Sequence, residues 1–359
     1  MEKITIIASK KNWIDSRSVD TLKQIGDYKG VQKVVGLPDL GIGTVPNGMA
    51  VLTKNRIYPH LIGGDIGCGM SLYETALNST HKKSIKVERF EKKLNKLESL
   101  DHITLDKEIE LAYSLGSIGK GNHFAELHLI HEVQDEKLFK QLDLSSDSLY
   151  TLVHSGSRSF GQIVFDTIAG SYDPTEGIDV ESSEAKVYLD KHNQAISYAH
   201  QSRTIIASKL LKAIGINRVC KCVSDTAHNS IMSLDEGWLH RKGATPTDKG
   251  PVIIAGSRGS LSYLVMPTEH TFRSNFSLAH GSGRKWERGS AKSKLQNRYS
   301  HSDLLRTAIG SRVICKDKKL LYDESPQAYK NIDIVIDDLV NAGLATVIAT
   351  FKPILTYKE

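Results

Sequence analysis

Five short segments, most of them glycine-rich, constrain what this chain can fold into, because each carries a side chain suited to metal binding or nucleophilic attack. They read GGDIGCGM (63–70), GKGNHFAE (119–126), VHSGSR (153–158), TAHN (226–229) and AHGSGR (279–284). Glycine lets the backbone approach a ligand closely and permits turns with positive φ. One such segment is typical of an ordinary loop, whereas five in one chain indicate a functional site.

The composition is that of a globular protein. Hydrophobic residues make up 40% and charged residues 25% of the 359 residues, which excludes disordered and collagen-like chains. No run of about 18 uncharged apolar residues occurs, and the N-terminal sequence MEKITIIASKKNW lacks the features of a secretory signal. Four cysteines are too few for a disulfide framework. The sequence therefore predicts a cytoplasmic protein without a membrane span.

The net charge of +6 is modest, but the cations are concentrated in residues 82–96 and 284–298. Such stretches suit a polyanionic ligand such as nucleic acid, and equally a solvated surface. Aromatic residues make up only 7% of the chain, which disfavours a base-stacking platform for single strands.

Strand-like and helix-like segments are interspersed along the chain. Strands are predicted at 3–8, 31–37, 49–53, 148–153, 251–255, 261–266 and 345–357, with Pro38-Asp39 as turn residues after the second. There is no strict βαβ period, no internal repeat and no low-complexity linker. We therefore expect a mixed α/β (α+β) fold, with central β-structure flanked by helices, in one domain spanning residues 1–359.

Three helices are predicted from apolar stripes of helical period. The first covers 84–100 with Phe90, Leu94 and Leu97 on one face. The second covers 184–214, and its stripe consists of Val187, Ile196, Ala199, Ile206 and Leu210. The third has Ser325 as N-cap, Pro326 at its first position and Gly343 as terminator, and its stripe consists of Tyr329, Ile332, Ile336 and Leu339.

Five side chains in these segments are candidate metal ligands: Asp65, Cys68, His123, His154 and His228. They are too many for one open tetrahedral ion and too few for two closed ones. A Cys68 thiolate bridging two ions would leave about one open position on each, as two-metal phosphoryl-transfer sites require. The donor set leaves the metal open between zinc and manganese. A structural zinc site is the alternative, but ligands scattered over more than 160 residues are unlike the paired spacing of such modules.

His280 lies in a different context, between small residues and four positions before Arg284. A neutral imidazole can attack phosphorus as a nucleophile. Backbone N–H groups nearby and the Arg284 guanidinium would then hold the phosphate oxygens. The alternative is a phosphate-binding loop in which His280 only donates a hydrogen bond.

Taken together, these motifs resemble the RtcB family of GTP-dependent RNA ligases, which join RNA 3′-phosphate or 2′,3′-cyclic-phosphate ends to 5′-hydroxyl ends. GGDIGCGM, GKGNHFAE, HSGSR, HNS and HGSGR follow the order of that family's signature segments. HRKGAT (240–245), GPVIIAGSRGSLSY (250–263) and ESPQAYKNIDIVI (324–336) are also similar to it. The resemblance runs from about residue 34 to the end of the chain.

The resemblance implies two Mn²⁺ ions on Asp65, Cys68, His123, His154 and His228, with Cys68 as the bridge. It implies that His280 forms a covalent guanylate with GTP and that Glu126 reads guanine, whose N1–H and N2–H₂ donors suit a carboxylate. The nucleotide-contacting positions that it implies are Asn122, His123, Phe124, Ala125, Glu126, His228, Asn229, Ala255, Gly256, Ser257, Arg258, Ser262, His280, Gly281, Ser282, Gly283 and Lys358.

Some features depart from the family pattern. No histidine follows Asp39 in Pro-Asp-Leu-Gly, the stretch SYAHQSR (197–203) lacks the usual asparagine, and the chain ends in Tyr-Lys-Glu. None of these positions belongs to the metal set or to His280, so they concern the RNA-binding surface. The length of the chain resembles that of the family's short paralogues, which implies a role in RNA repair rather than in tRNA splicing. The resemblance is also compatible with an activating protein partner.

Two other functions fit parts of the motif set. A binuclear metallophosphoesterase acting on RNA would use the metal ligands but neither His280 nor Glu126. A catalytically silent RNA-binding paralogue would have no physical need for five convergent donors.

Overall fold

The computed structural model describes residues 2–78, 85–103, 105, 114–216 and 219–359. Its strands are β1 (Ile4–Ile6), β2 (Val31–Gly41), β3 (Asn47–Thr53), β4 (Arg56–Ile57), β5 (Gly69–Asn78), β6 (Phe124–Val133), β7 (Ser148–Ser155), β8 (Ile178–Asp179), β9 (Val219–Ala227), β10 (Asn229–Leu234), β11 (Gly237–Lys242), β12 (Ala244–Pro246), β13 (Val252–Ile254), β14 (Ser262–Pro267), β15 (Ser277–Ala279), β16 (Arg312–Cys315) and β17 (Ala345–Lys358). Its α-helices are α1 (Ser16–Gly26), α2 (Pro59–Ile62), α3 (Val87–Leu94), α4 (Glu136–Gln141), α5 (Ser159–Asp166), α6 (Ser183–Ile214), α7 (Ala291–Leu295), α8 (Lys318–Asp323) and α9 (Ile332–Asn341). Short 3₁₀ turns lie at Leu100–His102, Glu269–Ser274, Asp303–Leu305 and Pro326–Ala328.

The largest sheet follows the order β13-β14-β17-β6-β7-β5-β9, and β16 adds to the second half of β17. A second sheet follows the order β1-β2-β3-β11-β10, and β12-β15 and β4-β8 form two-stranded ribbons. Both large sheets draw strands from distant parts of the chain. The expected mixed α/β fold with central β-structure and flanking helices is confirmed.

Helices cover the two faces of the large sheet because side chains alternate along each strand. On one face, Val153 of β7 joins a cluster with Ile206 and Leu210 of α6. On the other face, its neighbour Leu152 packs in a cluster with Phe139 of α4. None of the described helices is both long and apolar enough to span a membrane.

Helix α6 forms where the apolar stripe predicts it. The Ser182 hydroxyl caps its first turn by accepting the Ala185 backbone N–H at 3.1 Å, and Gly215 ends it with φ +87°. The assignment of Val187 to the buried stripe is wrong, because its side chain is 57% exposed. Tyr188 and Ala185 face the core at this end of the helix instead.

Each predicted strand is present with ends shifted by a few residues, but the turn at Pro38-Asp39 is wrong. Both residues lie inside β2, where the register with β3 shifts between Gly36 and Gly41. A bulge tolerates proline because no ladder hydrogen bond is required from its nitrogen. The strand therefore continues through Asp39 and carries this side chain into the interior.

The other two helices are shorter than predicted. Residues 79–84 lie outside the described residues, and α3 covers only Val87–Leu94 of the expected 84–100. Ser325 precedes a 3₁₀ turn, and α9 begins after Asn331, whose side chain accepts the Asp333 N–H. Tyr329 is therefore not on the helix: it is extended and pairs with Arg284 in an isolated bridge. Interaction with the loop after β15 takes precedence over local helix propensity here.

Candidate active site

Four neighbouring strands of the large sheet bring four of the five candidate metal ligands together at one end of the sheet. His123 immediately precedes β6, His154 lies near the end of β7, Cys68 precedes β5 and His228 follows β9. In the antiparallel register His154 is opposite Phe124 on one side and Met70 on the other. Antiparallel pairing places the start of one strand beside the end of the next, so these positions meet.

The ligand atoms lie within reach of shared metal ions. Sγ of Cys68 lies 3.3 Å from Nε2 of His123 and 3.2 Å from Nε2 of His154. Asp65, Cys68 and His123 form one group, and Cys68, His154 and His228 form another, with the ligand atoms of each group within 4.8 Å of one another. Cys68 belongs to both groups, which is the geometry that a bridging thiolate needs.

Burial controls the charges of this cluster. It lowers the pKa of His154 and of His228, so both imidazoles are neutral and able to coordinate. Burial and the nearby Asp65 raise the pKa of the Cys68 thiol. Burial opposes ionisation of Asp65 as well, but His123 holds the pKa of its carboxyl below the usual range. Within the described residues, Nδ1 of His228 is buried without a hydrogen-bond partner, an orphaned donor or acceptor consistent with a ligand site.

Two glycines are required by the packing of the cluster. A Cβ on Gly156 would lie 2.3 Å from Oδ1 of Asp65. Gly67, with φ +73°, packs against α6, and a Cβ there would lie 2.9 Å from that of Ala199. The glycines thus allow the ligand-bearing loops to approach each other and the long helix.

Arg203 holds the backbone beside two of the candidate metal ligands, a role that the sequence did not reveal. Its side chain is fully buried, and Nη1 donates to the carbonyl oxygens of Gly67 at 2.9 Å and Ser155 at 3.0 Å. Its charge is paired with Asp225 at 2.7 Å. Arg203 therefore fixes the backbone next to Cys68 and next to His154 through one guanidinium.

His280 lies beside the cluster, held by Asp39. One carboxylate oxygen, Oδ2 of Asp39, accepts the backbone N–H of His280 at 3.0 Å and lies 2.6 Å from its Nδ1. Asp39 is fully buried, and the His280 ring lies 4.7 Å from the His228 ring. Because a carboxylate only accepts, the neutral tautomer that fits this contact has its proton on Nδ1 and its lone pair on Nε2.

Lys330 ties Asp39 to the loop of His280. Its Nζ donates to the carbonyl oxygens of Pro38 at 3.1 Å and Leu40 at 2.7 Å, on either side of Asp39. Its backbone N–H donates to the carbonyl of Gly283. Burial lowers the pKa of Lys330 to about 8, although Asp39 and Asp338 oppose the shift. Neither Asp39 nor Lys330 was predicted as a site residue.

A cavity of about 580 Å³ opens over this constellation. Of the residues predicted to contact nucleotide, the cavity is lined by Asn122, Phe124, Glu126, Ala255, Gly256, Ser257, Arg258, His280, Gly281, Ser282, Gly283 and Lys358. Five others stand outside the lining: His123, Ala125, His228, Asn229 and Ser262. Ala125 faces the core on the opposite side of β6, and Ser262 supports the wall by accepting the Gly256 N–H at 3.1 Å.

Glu126 is fixed within the cavity wall. Its Oε1 accepts from the Thr356 hydroxyl at 2.6 Å, and its Oε2 lies 3.0 Å from Nε2 of the buried His128. Lys358 donates its Nζ to the carbonyl of His123 at 2.8 Å. The carboxylate thus has a defined orientation while its remaining lone pairs can face a ligand. His128, which no sequence motif singles out, thus helps to hold this carboxylate.

Arg284, expected to hold phosphate oxygens, lines the cavity, and within the described residues its buried Nη2 has no hydrogen-bond partner. Its Nη1 donates to Oε1 of Glu324 and to the carbonyl of Asp323, both at 3.0 Å. Arg258 is a second candidate for holding phosphate oxygens, because it is buried in the cavity wall. Within the described chain, its Nε and Nη1 have no hydrogen-bond partner.

Comparison with known proteins identifies the family of the chain. The family described as tRNA-splicing ligase RtcB matches residues 96–359. RNA-splicing ligase RtcB2 of Escherichia coli is 40% identical over 371 aligned residues, which cover 100% of this chain and 96% of that protein. The tRNA-splicing ligase RtcB of Nanoarchaeum equitans is 30% identical over 68% of this chain and 59% of its own length. That of Archaeoglobus fulgidus is 31% identical over 67% and 58%.

The match to the Escherichia coli protein extends over essentially both sequences, whereas the matches to the archaeal proteins span about three-fifths of their length. The family match includes the elements that carry His123, His154, His228 and His280. The chain therefore belongs to the RtcB family of RNA ligases.

Proposed function

We propose that this ligase joins RNA 3′-phosphate or 2′,3′-cyclic-phosphate ends to 5′-hydroxyl ends, using GTP and Mn²⁺ through a covalent His280–GMP intermediate. The observation that carries the proposal is the position of His280. Its Nδ1 is held by buried Asp39 at 2.6 Å, and its ring lies beside a five-donor cluster in the wall of a cavity. This is the arrangement of an activated nucleophile with a group that orients it.

The donor set fits two divalent ions. Asp65 and His123 would hold one, His154 and His228 the other, and Cys68 would bridge them, in agreement with its presence in both ligand groups. Such ions would neutralise phosphate charge and lower the pKa of an attacking hydroxyl. Manganese is proposed from the resemblance, since the thiolate and imidazole donors by themselves suit zinc as well.

The first step uses the lone pair on Nε2 of His280. It attacks the α-phosphorus of GTP, the N–P bond forms, the bond from the α-phosphorus to the bridging oxygen breaks, and pyrophosphate leaves. The imidazole gains positive charge in this step, and the Asp39 carboxylate stabilises that charge through Nδ1–H. The buried Arg258, with two unpaired guanidinium nitrogens, is suited to holding phosphate oxygens in line.

The later steps transfer the activated phosphate. The RNA 3′-phosphate attacks the guanylate on His280, which restores the imidazole and leaves a 3′-guanylated end. The 5′-hydroxyl of the second end then attacks the RNA phosphorus and releases GMP. A 2′,3′-cyclic phosphate is first opened by water. Glu126, oriented by Thr356 and His128, would select guanine by accepting from N1–H and N2–H₂.

Interleaving of distant segments in both large sheets supports one ligase domain over residues 1–359. A role in RNA repair, a cytoplasmic location and an activating protein partner stay predictions from the sequence.

Incubation with α-³²P-labelled GTP and Mn²⁺ tests the proposal. The ligase retains label covalently, whereas a metallophosphoesterase or a silent RNA-binding protein does not. His280→Ala is expected to form no adduct, yet to join an RNA already carrying a 3′-guanylate to a 5′-hydroxyl end. A labelled adduct in His280→Ala would show that another side chain is the nucleophile, and equal losses in both reactions would reduce His280 to a phosphate-holding role.

A further inference from the structure

The basic segment, residues 284–298, reaches the mouth of the active-site cavity. It carries six cationic side chains and one acidic side chain, Glu287. Trp286 and Arg288 line the cavity together with Arg17 of α1. Glu287 pairs with Arg17 at 3.0 Å rather than with a cation of the segment. Of the cations, Arg284 pairs with Glu324, and neither of these two carboxylates neutralises the others. A concentrated positive field at a cavity mouth attracts polyanions.

Trp286 has an unusual setting within this segment. Its indole is partly buried against the apolar cluster that contains Ala291 and Leu295, which anchors the ring. The Nζ atoms of Lys285 and Lys294 lie 5.4 Å and 4.8 Å from the ring centroid. Both lysines are exposed. An anchored aromatic ring with two exposed ammonium groups over it combines the two elements by which proteins hold single-stranded nucleic acid, stacking and phosphate neutralisation.

Arg288 connects the segment of this ring to the end of the sheet where the candidate metal ligands lie. Its Nη2 donates to Oδ1 of Asn122 at 3.0 Å. The carbonyl of Asn122 in turn accepts from Nδ1 of His154 at 3.2 Å. A nucleotide on Trp286 would therefore have its phosphates directed along Arg288 toward the candidate metal ligands.

We propose that Trp286 stacks on the unpaired terminal nucleobase of an RNA end, with Lys285, Lys294 and Arg288 neutralising its phosphates. The proposal rests on the ligase function proposed above and specifies its substrate. A base inside a duplex has both faces covered, so the site favours single-stranded or frayed ends. Every base has a π-face, so the site accepts ends of any sequence. Aromatic residues make up only 7% of the chain, which disfavours a row of stacking rings. We therefore expect this one indole to bind a single nucleotide rather than a longer strand.

The test measures RNA binding directly, by fluorescence anisotropy of single-stranded oligonucleotides without GTP. Trp286→Leu keeps an apolar side chain against the cluster that contains Leu295 and removes the π-face, and Trp286→Phe restores a smaller one. We expect Trp286→Leu to weaken RNA binding about 5- to 150-fold, the range for loss of one base–aromatic stack, and Trp286→Phe to recover most of it. Trp13→Leu is the matched control, since Trp13 is 55% exposed and does not line the cavity.

Oligonucleotides with an abasic terminal residue identify the stacked base. One series carries the abasic residue at the 3′-phosphate end and another at the 5′-hydroxyl end. Wild-type protein is expected to lose affinity for one of the two, and Trp286→Leu to show no further loss with that oligonucleotide.

The salt dependence of RNA binding tests the phosphate contacts. Lys294→Gln is expected to reduce the slope of log K against log salt by about 0.7, the value for one phosphate contact on a single strand.

Covalent labelling by GTP is measured on the same variants. Normal labelling with weakened RNA binding in Trp286→Leu supports the proposal. Unchanged RNA affinity in Trp286→Leu overturns the proposal. If that variant also needs a higher GTP concentration for labelling, the indole stacks on GTP instead of on RNA. Absence of labelling in wild-type protein counts against the proposed GTP chemistry alone, because the anisotropy measurement needs no nucleotide.

Discussion

Oδ2 of Asp39 binds both the backbone N–H and the Nδ1 of His280, at 3.0 Å and 2.6 Å. Two contacts to one oxygen fix the position of the residue and the rotation of its ring. They also fix the tautomer, because the carboxylate leaves Nδ1 protonated and Nε2 free. Asp39 is thus a positioning residue for the proposed nucleophile.

Asp39→Asn is expected to slow formation of the covalent GMP adduct about 100-fold, within the range for loss of a group that serves proton and charge transfer. The amide lacks the negative charge that stabilises the positive imidazole. Single-turnover labelling with α-³²P-GTP measures the rate. Metal content should not change, since no ligand is altered. An unchanged rate would mean that the contact is only structural.

Cys68→Ala is expected to weaken the binding of both metal ions, because the thiol belongs to both ligand groups. His228→Ala removes a ligand from one group only, so it should weaken mainly one ion. Equilibrium dialysis against Mn²⁺ followed by atomic emission gives the stoichiometry. Cys222→Ala, at an exposed cysteine of β9, is the control. Two tightly held ions in Cys68→Ala would exclude the bridge.

Glu126→Gln is expected to reduce the use of GTP about 10- to 150-fold, the cost of a mismatched hydrogen bond to a charged group. The amide NH₂ would face either a guanine donor or the Thr356 hydroxyl, which now donates to Oε1. Dependence of labelling on GTP concentration measures the effect. Glu132→Gln, at an exposed position of the same strand, is the control. Unaltered labelling would remove Glu126 from guanine recognition.

Lys330→Met is expected to slow adduct formation about 10-fold at neutral pH, because the two carbonyls that flank Asp39 lose a charged donor. The pKa of Lys330 is lowered to about 8 by burial. In the wild type, adduct formation should therefore decline as the pH rises through 8 and the ammonium loses its proton. Labelling rates between about pH 6.5 and 9.5 test this. A decline that persists unchanged in Lys330→Met would assign it to another group.

Acid should destabilise the fold through two buried histidines outside the site. Burial lowers the pKa of His192 to about 4 and that of His240 to about 3. Each accepts a backbone N–H at Nε2, from Ile231 and Tyr58 respectively, and so is neutral in the folded chain. Below the ordinary pKa of about 6.5 the unfolded chain takes up protons that the folded chain does not, so stability is complete above that pH and falls below it.

The expected slope is about 1.4 kcal/mol per pH unit for each histidine between its folded and unfolded pKa. Urea unfolding at pH 7, 6 and 5 measures the free energy of unfolding. His192→Gln should be less stable at pH 7 but show a shallower dependence on pH. Equal slopes in the variant and the wild type would contradict the assignment to His192.

Much of the fold was predictable, because strand and helix periodicity is a local property of sequence. The predicted strands are present, and α6 covers Ser183–Ile214, within one residue of the predicted range 184–214. Errors occur where tertiary contacts override local preference. Tyr329 carries a helical pattern, yet its segment is extended because it pairs with Arg284. Pro38 indicates a turn, yet it lies within β2, because the register shift there requires no ladder hydrogen bond from its nitrogen.

The sequence by itself determined which side chains are available for chemistry: five metal-ligand types, His280 and the glycines that let their loops approach. The tertiary structure alone decided how these side chains are supported. Arg203, Asp39 and Lys330 act through buried contacts to backbone groups and side chains that are distant along the chain. Such contacts depend on strand register and on the direction in which a side chain leaves a bulged strand. Neither property produces a pattern among neighbouring residues, so only the folded chain reveals these three residues as parts of the site.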